Sequence, residues 1–207
     1  LVLAVATAAE ALGCRIRTGE VVGIQGKKGR ATGVVLSDGA TVQGEAVLLA
    51  MGPWTKLAGP WADLEIPVEP VRGQIVKLSV PGAQPEFALL RIKGRGYILR
   101  KPSGEVLGGT TWEQVGFDRQ ATPEGQSAIV EGTLRLSPRA RDAVVEESRA
   151  CLRPYSADEH PIIGPAPGWE NLYIAAGHGP EGILHGPATG KYLAQLIATG
   201  RSGYDLS

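Results

Sequence analysis

A change in hydrophobic pattern divides this sequence into two end segments and a middle segment, and it limits the fold more than any other feature. Each end segment contains an apolar run that leads into a glycine turn, residues 45–50 before Gly52 and residues 171–176 before Gly177. Such continuous runs are typical of strands covered on both faces. From Ile66 onward, apolar and polar residues alternate as in antiparallel strands. The pattern predicts an α+β fold in which an antiparallel sheet separates two parts of another domain.

The middle segment carries the signals of strands and one helix. One face of the strand predicted over residues 71–80 is apolar, and residues 96–100 can pair with residues 105–108 through a Pro-Ser-Gly turn. The Thr-Pro pair at 122–123 has the form of an N-cap and a first helical residue, which predicts a helix over the next four turns. Residues 143–152 are a further strand candidate.

The first segment opens with an apolar, helix-prone run over residues 1–12 that Gly13 closes. Because this helix has no N-cap and almost no polar face, we expect it to pack between other layers, with material N-terminal to it missing. An uncovered apolar helix also favours self-association, so a homo-oligomer is one expected arrangement.

Short strand-like runs follow at residues 15–17 and 20–24, and Asp-Gly at 38–39 predicts a hairpin. At the other end, a helix is predicted over residues 187–199, closed by Gly200.

The balance of charge excludes some classes of partner. Twenty-one Lys and Arg residues offset 21 Asp and Glu residues, so the chain lacks the basic field that nucleic acid or an anionic membrane requires. No apolar run approaches the roughly 20 residues that span a bilayer, and the chain is predicted to be cytoplasmic. His160, His178 and His185 lie on different predicted loops and helix starts, so no metal site is predicted.

Residues 177–182 read Gly-His-Gly-Pro-Glu-Gly, the spacing of a dinucleotide-binding loop between a strand and a helix. That motif requires a second strand ending in an acidic residue about 20 residues later, and only 25 residues follow Gly182. The dinucleotide interpretation is therefore rejected. Two readings stay open, a close-packed turn and a backbone that approaches an electron-rich ligand at a helix start.

Several segments share their order and spacing with one protein family. They are residues 20–22, 47–55, 70–74, 96–99, 108–113, 152–154 with 160–164, and 176–183 with 186–190. Together they resemble the amino-acid-oxidising flavoproteins, a family that includes glycine oxidase, D-amino-acid oxidase and sarcosine oxidase. The resemblance covers nearly all of the chain, but the dinucleotide-binding segment that opens family members is absent. It implies FAD as the cofactor, bound with the help of a missing N-terminal segment.

The resemblance also implies a division of the chain. Residues 1–65 would form part of an FAD-binding domain, residues 66–155 an antiparallel substrate-binding domain, and residues 156–207 a return to the FAD-binding domain with a C-terminal helix.

By the same resemblance, individual residues receive roles. The positions that would contact the cofactor are Val21, Ala50, Gly52, Trp54, Gly177, His178, Gly179, Gly182 and Ile183. Tyr97 and Arg153 match positions that face the substrate, a small amino acid or amine. A guanidinium fork holds a carboxylate bidentately, as orienting an amino acid above a flavin requires. The implied reaction transfers a hydride to the flavin and needs orientation more than a protein acid or base.

One departure leaves the substrate open. Pro180 stands where glycine oxidase has an arginine that also binds the substrate carboxylate. Either Arg153 suffices, or Arg91 or Arg95 contributes, or the substrate is a secondary amine or another amino acid. Two further hypotheses are a non-catalytic truncated or split chain that needs an N-terminal partner, and an α+β binding domain that only mimics the motifs. We expect the chain alone to bind little FAD.

Overall fold

The computed structural model describes residues 1–27, 29–80, 89–90 and 96–204. The helices in these ranges are α1 (Val2–Ala11), α2 (Gly59–Ala62), α3 (Pro123–Leu136) and α4 (Gly182–Thr199). The strands are β1 (Val21–Lys27), β2 (Arg30–Leu36), β3 (Thr41–Gln43), β4 (Val47–Leu49), β5 (Val68–Ser79), β6 (Leu89–Leu90), β7 (Tyr97–Arg100), β8 (Val106–Gly109), β9 (Val144–Ser156), β10 (Ile162–Pro165) and β11 (Leu172–Ala176). Short 3-10 helices lie at Gly52–Ala58, Pro138–Asp142 and Gly179–Glu181. The predicted α+β class is confirmed.

The described strands form three sheets. Strands β1, β2 and β3 make an antiparallel meander that includes the predicted Asp-Gly hairpin. Strand β11 lies between β10, its antiparallel partner, and β4, its parallel partner. The third sheet is antiparallel, with the order β6–β7–β8–β5–β9. The chain therefore enters the third sheet after β4 and leaves it before β10.

Helix α3 packs on one face of the five-stranded sheet. Val76, Ile98 and Ile129 are each at most 4% exposed in the core between them. The hydroxyl of Thr122 accepts a hydrogen bond from a first-turn N–H at 3.1 Å, which confirms the predicted N-cap. Because neighbouring residues of a strand point to opposite faces, Gly73 of β5 lies on the face away from α3.

A second core joins the two smaller sheets. Leu49 and Leu172 are almost fully buried there. The side-chain amide of Asn171 accepts a hydrogen bond from Ala31 N–H at 2.8 Å and donates to the carbonyls of Ala31 at 2.8 Å and Glu45 at 2.5 Å. This buried amide ties β2 to the starts of β4 and β11.

Three local predictions differ from the structure. Residues 15–17 form no strand. Helix α4 begins at Gly182, because the preceding 3-10 turn continues directly into it, and Pro187 lies inside the helix with no N–H for the carbonyl four residues earlier. Leu48 of β4 is 41% exposed, so the strand predicted to be covered on both faces has an open face in this chain.

Helix α1 is exposed rather than packed between layers. None of its residues is buried, and the side chains of Leu3 and Val5 are among the exposed large apolar groups. Gly13 ends the helix region with a φ of +96°, as predicted. Among the helices in the described ranges, none combines the length and the apolar character needed to cross a membrane.

Candidate functional site

A cavity of about 780 Å³ lies between the five-stranded sheet and the loop that precedes α4. Tyr97 of β7, Trp112 and Arg153 of β9 line it from the sheet, and residues 177–181 line it from the loop. This volume is within the range of small-molecule sites. The two residues predicted to face a substrate thus share one space with the glycine-rich loop.

Arg153 is held by the segment that follows β8. Its Nη1 donates to the carbonyl of Thr111 at 3.1 Å, and its Nη2 donates to Thr110 Oγ1 at 2.6 Å. Its guanidinium carbon lies 5.4 Å from the Trp112 ring centre, a cation–π distance. Trp112 in turn meets the Tyr155 ring edge-on at 5.3 Å between centroids. A guanidinium oriented in this way is suited to a carboxylate ligand.

Two titratable side chains of the cavity have shifted pKa values. Burial raises the pKa of the Tyr97 hydroxyl, and the charge of Arg153 only partly opposes it. Tyr97 is therefore a neutral hydrogen-bond donor at neutral pH. Burial lowers the pKa of His178, and the charge of His185 acts in the same direction. The neutral imidazole is favoured, with its Nε2 at 2.9 Å from Thr189 Oγ1.

The loop between β11 and α4 has a backbone that suits glycine. Gly177 and Gly179 have φ values of +76° and +51°, in the left-handed region. Ser156 Oγ lies 2.5 Å from the His160 carbonyl and 3.2 Å from the Gly177 carbonyl, and Tyr155 forms an isolated β-bridge with His178, so the end of β9 anchors the loop. The first turn of α4 follows, where free N–H groups and the positive helix end favour an electron-rich ligand.

The other residues predicted to contact a cofactor do not line this cavity. They are Val21 at the start of β1, Ala50 and Gly52 after β4, Trp54 in the following 3-10 helix, and Gly182 and Ile183 in the first turn of α4. Ala50 and Ile183 are exposed, and Trp54 lies with its ring 6.0 Å from that of Phe117. Ala50, Trp54 and Ile183 are thus accessible in this chain, and Val21, Gly52 and Gly182 are half-buried.

The departure from the resembled family lies in the same cavity. Pro180 lines it together with Glu181 and Glu159. Glu159 has a φ of +62°, which non-glycine residues rarely adopt. Among the described lining residues there are thus one arginine and two glutamates. Arg91 and Arg95 lie outside the described residues.

Arg72 carried no predicted role, but its side chain is only 6% exposed. It donates to Glu113 through Nε at 3.1 Å and Nη2 at 2.5 Å, and through Nη1 to Asp118 at 2.6 Å. The Gln74 amide at 2.8 Å and the Thr111 hydroxyl also donate to Glu113. This network fixes the segment after β8, which carries the acceptors of Arg153, against β5.

The network also sets the charge state of Glu113. Burial raises the pKa of its carboxyl, but hydrogen bonds from Arg72, Thr111 and Gln74 outweigh burial, so the pKa is lowered. Arg72 and Gln74 are two residues apart in a strand, so the sequence places them on the same face. Their acidic partner Glu113 could not be identified from the sequence, because it lies 41 residues from Arg72.

Known proteins share both the sequence and the fold of this chain. The family described as "FAD dependent oxidoreductase" matches residues 1–196. Glycine oxidase of Pseudomonas putida is 33% identical over 180 residues, which are 86% of this chain and 48% of that protein. The bifunctional protein ThiO/ThiG of a Nostoc species is 35% identical over 198 residues, 94% of this chain and 29% of that protein.

Solved structures agree with these relatives. Glycine oxidase from Geobacillus kaustophilus has a TM-score of 0.89 and 31% identity, over 99% of this chain and 55% of that one. Iminodiacetate oxidase from a Chelativorans species also has a TM-score of 0.89, with 29% identity over 97% of this chain and 55% of that one. The chain spans about half or less of the length of these relatives and structures.

The sequence matches and the fold point to the same class of protein, the FAD-dependent oxidoreductases. The chain belongs to the FAD dependent oxidoreductase family, and the cofactor of the complete protein is FAD. The described residues fit this group, because a Cβ atom at Gly179 would meet nothing within 4 Å, so the backbone is open to a ligand there beside the positive end of α4. Gly177 instead packs closely against Ser156 and Ile162.

Proposed function

We propose that this chain is the C-terminal part of an enzyme that oxidises a small amino acid or amine. The observation that carries the proposal is the single cavity shared by Tyr97, Arg153 and the 177–181 loop. Bound FAD supplies the hydride acceptor. Arg153 holds the substrate carboxylate, Tyr97 donates a hydrogen bond to it, and the rings of Trp112 and Tyr155 keep water from the reacting carbon.

Substrate binding and cofactor binding belong to different parts of the chain. Residues 66–155 bind the substrate, and residues 1–65 and 156–207 bind the cofactor. Val21, Ala50, Gly52 and Trp54 contact FAD from the first part; Gly177, His178, Gly179, Gly182 and Ile183 contact it from the second. The accessible positions of Ala50, Trp54 and Ile183 support this assignment, since they leave room for a ligand.

A separate N-terminal segment completes the cofactor site. The relatives extend well beyond the region they share with this chain. Helix α1 and Leu48 of β4 present apolar side chains that the described chain leaves exposed. Surfaces of this kind are stabilised when a further layer covers them, and a dinucleotide-binding segment is the layer that the family implies.

The cavity favours a substrate with one carboxylate. The names of two similar proteins mention glycine, with one carboxylate, and iminodiacetate, with two. Glu159 and Glu181 line the cavity with Arg153, and they repel a second substrate carboxylate. A monocarboxylic amino acid is therefore the preferred substrate class.

The first prediction tests cofactor assembly. The purified chain should be nearly colourless. The same chain co-expressed with the N-terminal half of Pseudomonas putida glycine oxidase should show flavin absorbance at about 450 nm. The coloured complex should be bleached anaerobically by glycine more readily than by iminodiacetate. The N-terminal half expressed alone is the control for colour.

Stoichiometric FAD on the isolated chain would remove the need for an N-terminal partner. A coloured complex that no amino acid or amine bleaches would contradict the oxidase proposal and leave the alternative of a non-catalytic module.

A further inference from the structure

Two glycines lie directly beneath the two side chains that face the substrate. We propose that Gly73 and Gly109 are positioning residues, each of which leaves the space that Arg153 and Tyr97 respectively occupy. The inference rests on the proposed function of the cavity, and it names residues that touch neither substrate nor cofactor.

Gly73 provides room for the Arg153 guanidinium. In the β5–β9 pairing, Gly73 is opposite Cys151 and Val71 is opposite Arg153, so the arginine side chain crosses diagonally over the glycine. A Cβ atom at Gly73 would overlap Cζ and both Nη atoms of Arg153. Any larger residue here would push the guanidinium away from its present acceptors, Thr110 and Thr111.

Gly109 has the same relation to Tyr97. The two residues are directly paired between β8 and β7. A Cβ atom at Gly109 would lie 2.5 Å from Cζ and 2.7 Å from Oη of Tyr97, closer than atoms in contact allow. The phenol end of Tyr97 therefore occupies the space beside this glycine.

A left-handed backbone does not account for these glycines. Neither Gly73 nor Gly109 is among the residues with positive φ. Glycine within a strand weakens it, because the position loses a packed side chain and backbone entropy is larger in the unfolded chain. The overlap that a Cβ atom would make with Arg153 or Tyr97 supplies a reason for glycine at both positions.

The atoms that a methyl group at Gly73 would meet are the far end of a flexible side chain. The fold can absorb their displacement by a rotamer change of Arg153, whereas ligand orientation tolerates errors of only about 0.5 Å. The Gly73→Ala variant should therefore fold normally and bind carboxylates poorly.

The second prediction uses the FAD-loaded complex of this chain with its N-terminal segment. Gly73→Ala should raise KM for amino acids about 10- to 100-fold, the loss expected when charged hydrogen bonds are broken. It should change KM for amines without a carboxylate less than about twofold. The matched control is Gly132→Ala, since a Cβ atom there meets nothing within 4 Å; this variant should leave both constants unchanged. Equal changes for amino acids and plain amines in Gly73→Ala would overturn the proposal.

A double-variant cycle separates positioning from a general structural effect. Arg153→Met alone should raise KM for amino acids. If Gly73 acts through Arg153, adding Gly73→Ala to Arg153→Met should change KM less than about twofold. Multiplicative effects of the two substitutions would overturn the inference.

A flavin-independent readout keeps this inference separate from the proposed function. Side-chain ¹H–¹⁵N spectra of the chain should show the Arg153 guanidinium signals shifted in Gly73→Ala and unchanged in Gly132→Ala. The Tyr97 ring signals should shift in Gly109→Ala. An unshifted Arg153 would overturn the positioning role, even in an active enzyme. Shifted signals in a complex that oxidises no amine would support the positioning role and overturn the proposed function.

Discussion

The residues predicted to face the substrate and those predicted to contact the cofactor differ in what holds them in place. On the substrate side, Arg153 contacts Thr110, Thr111 and Trp112, all within this chain. On the cofactor side, predicted contact residues such as Ala50 and Ile183 are exposed. The geometry around Arg153 is therefore a property of the chain itself, whereas Ala50 and Ile183 are left exposed in it.

The same contrast extends to the supporting elements. The five-stranded sheet buries an apolar core under α3 and an ion-pair network around Arg72. Helix α1 buries none of its residues. Since local stability follows buried contacts, the sheet should resist unfolding in this chain while α1 contributes little to it. The next three predictions test that difference.

The largest effect is expected for the two ion pairs of Arg72, whose own side chain is buried. Arg72→Met leaves Glu113 and Asp118 without their cation and should lower the free energy of unfolding by about 4 kcal/mol. Arg149→Met breaks an ion pair with Glu147 in which both side chains are at least 44% exposed, and it should change the free energy of unfolding far less, because solvent screens exposed charges. Urea titration followed by circular dichroism measures both. Similar losses would show that the network is not a major source of stability.

A smaller difference is expected between two leucines. Leu78→Ala, in the core under α3, should lower the free energy of unfolding by about 3 kcal/mol. Leu3→Ala, in exposed α1, should change it by less than about 0.5 kcal/mol. The comparison uses the isolated chain and thermal or urea unfolding. A large effect of Leu3→Ala would mean that α1 packs in solution, and the contrast between the two sides would fail.

The smallest effect is a pH dependence. The pKa of Glu113 is lowered in the folded chain from an unfolded value of about 4.3. Its contribution to stability is therefore full above the unfolded pKa and is lost as pH falls through the folded pKa. Unfolding free energies measured from about pH 6 to about pH 3 should decline less steeply in Glu113→Gln than in the unsubstituted chain. Parallel curves would show that this carboxyl does not couple folding to pH.

Much of the local structure was predictable because its causes are local. Thr122 caps α3, and the alternation around Val76 placed the apolar face of β5 correctly. Errors arose where a neighbouring element decided the outcome. Helix α4 begins five residues before Pro187, because the 3-10 turn after His178 runs directly into it. The exposure of Leu48 was not predicted, because an apolar run does not reveal whether another element covers it.

The candidate site was only partly predictable. Tyr97 and Arg153 were named through family resemblance, and the structure brings them together in one cavity. Arg72 received no role, since its partner Glu113 is 41 residues away. Gly73 was part of the 70–74 motif, but no role was predicted for it. The space beside a glycine depends on which strand pairs with it and in which register.

By itself, the sequence determined the α+β class, the helix cap, the hairpin turn and the family, because periodicity, capping and motif order depend on residues near one another in the chain. The tertiary structure alone decided which faces are covered, how Arg72 meets Glu113 and where the Arg153 guanidinium lies. These features depend on the pairing of β5 with β8 and β9. A shift of one residue in that pairing would turn every side chain of a strand to the opposite face.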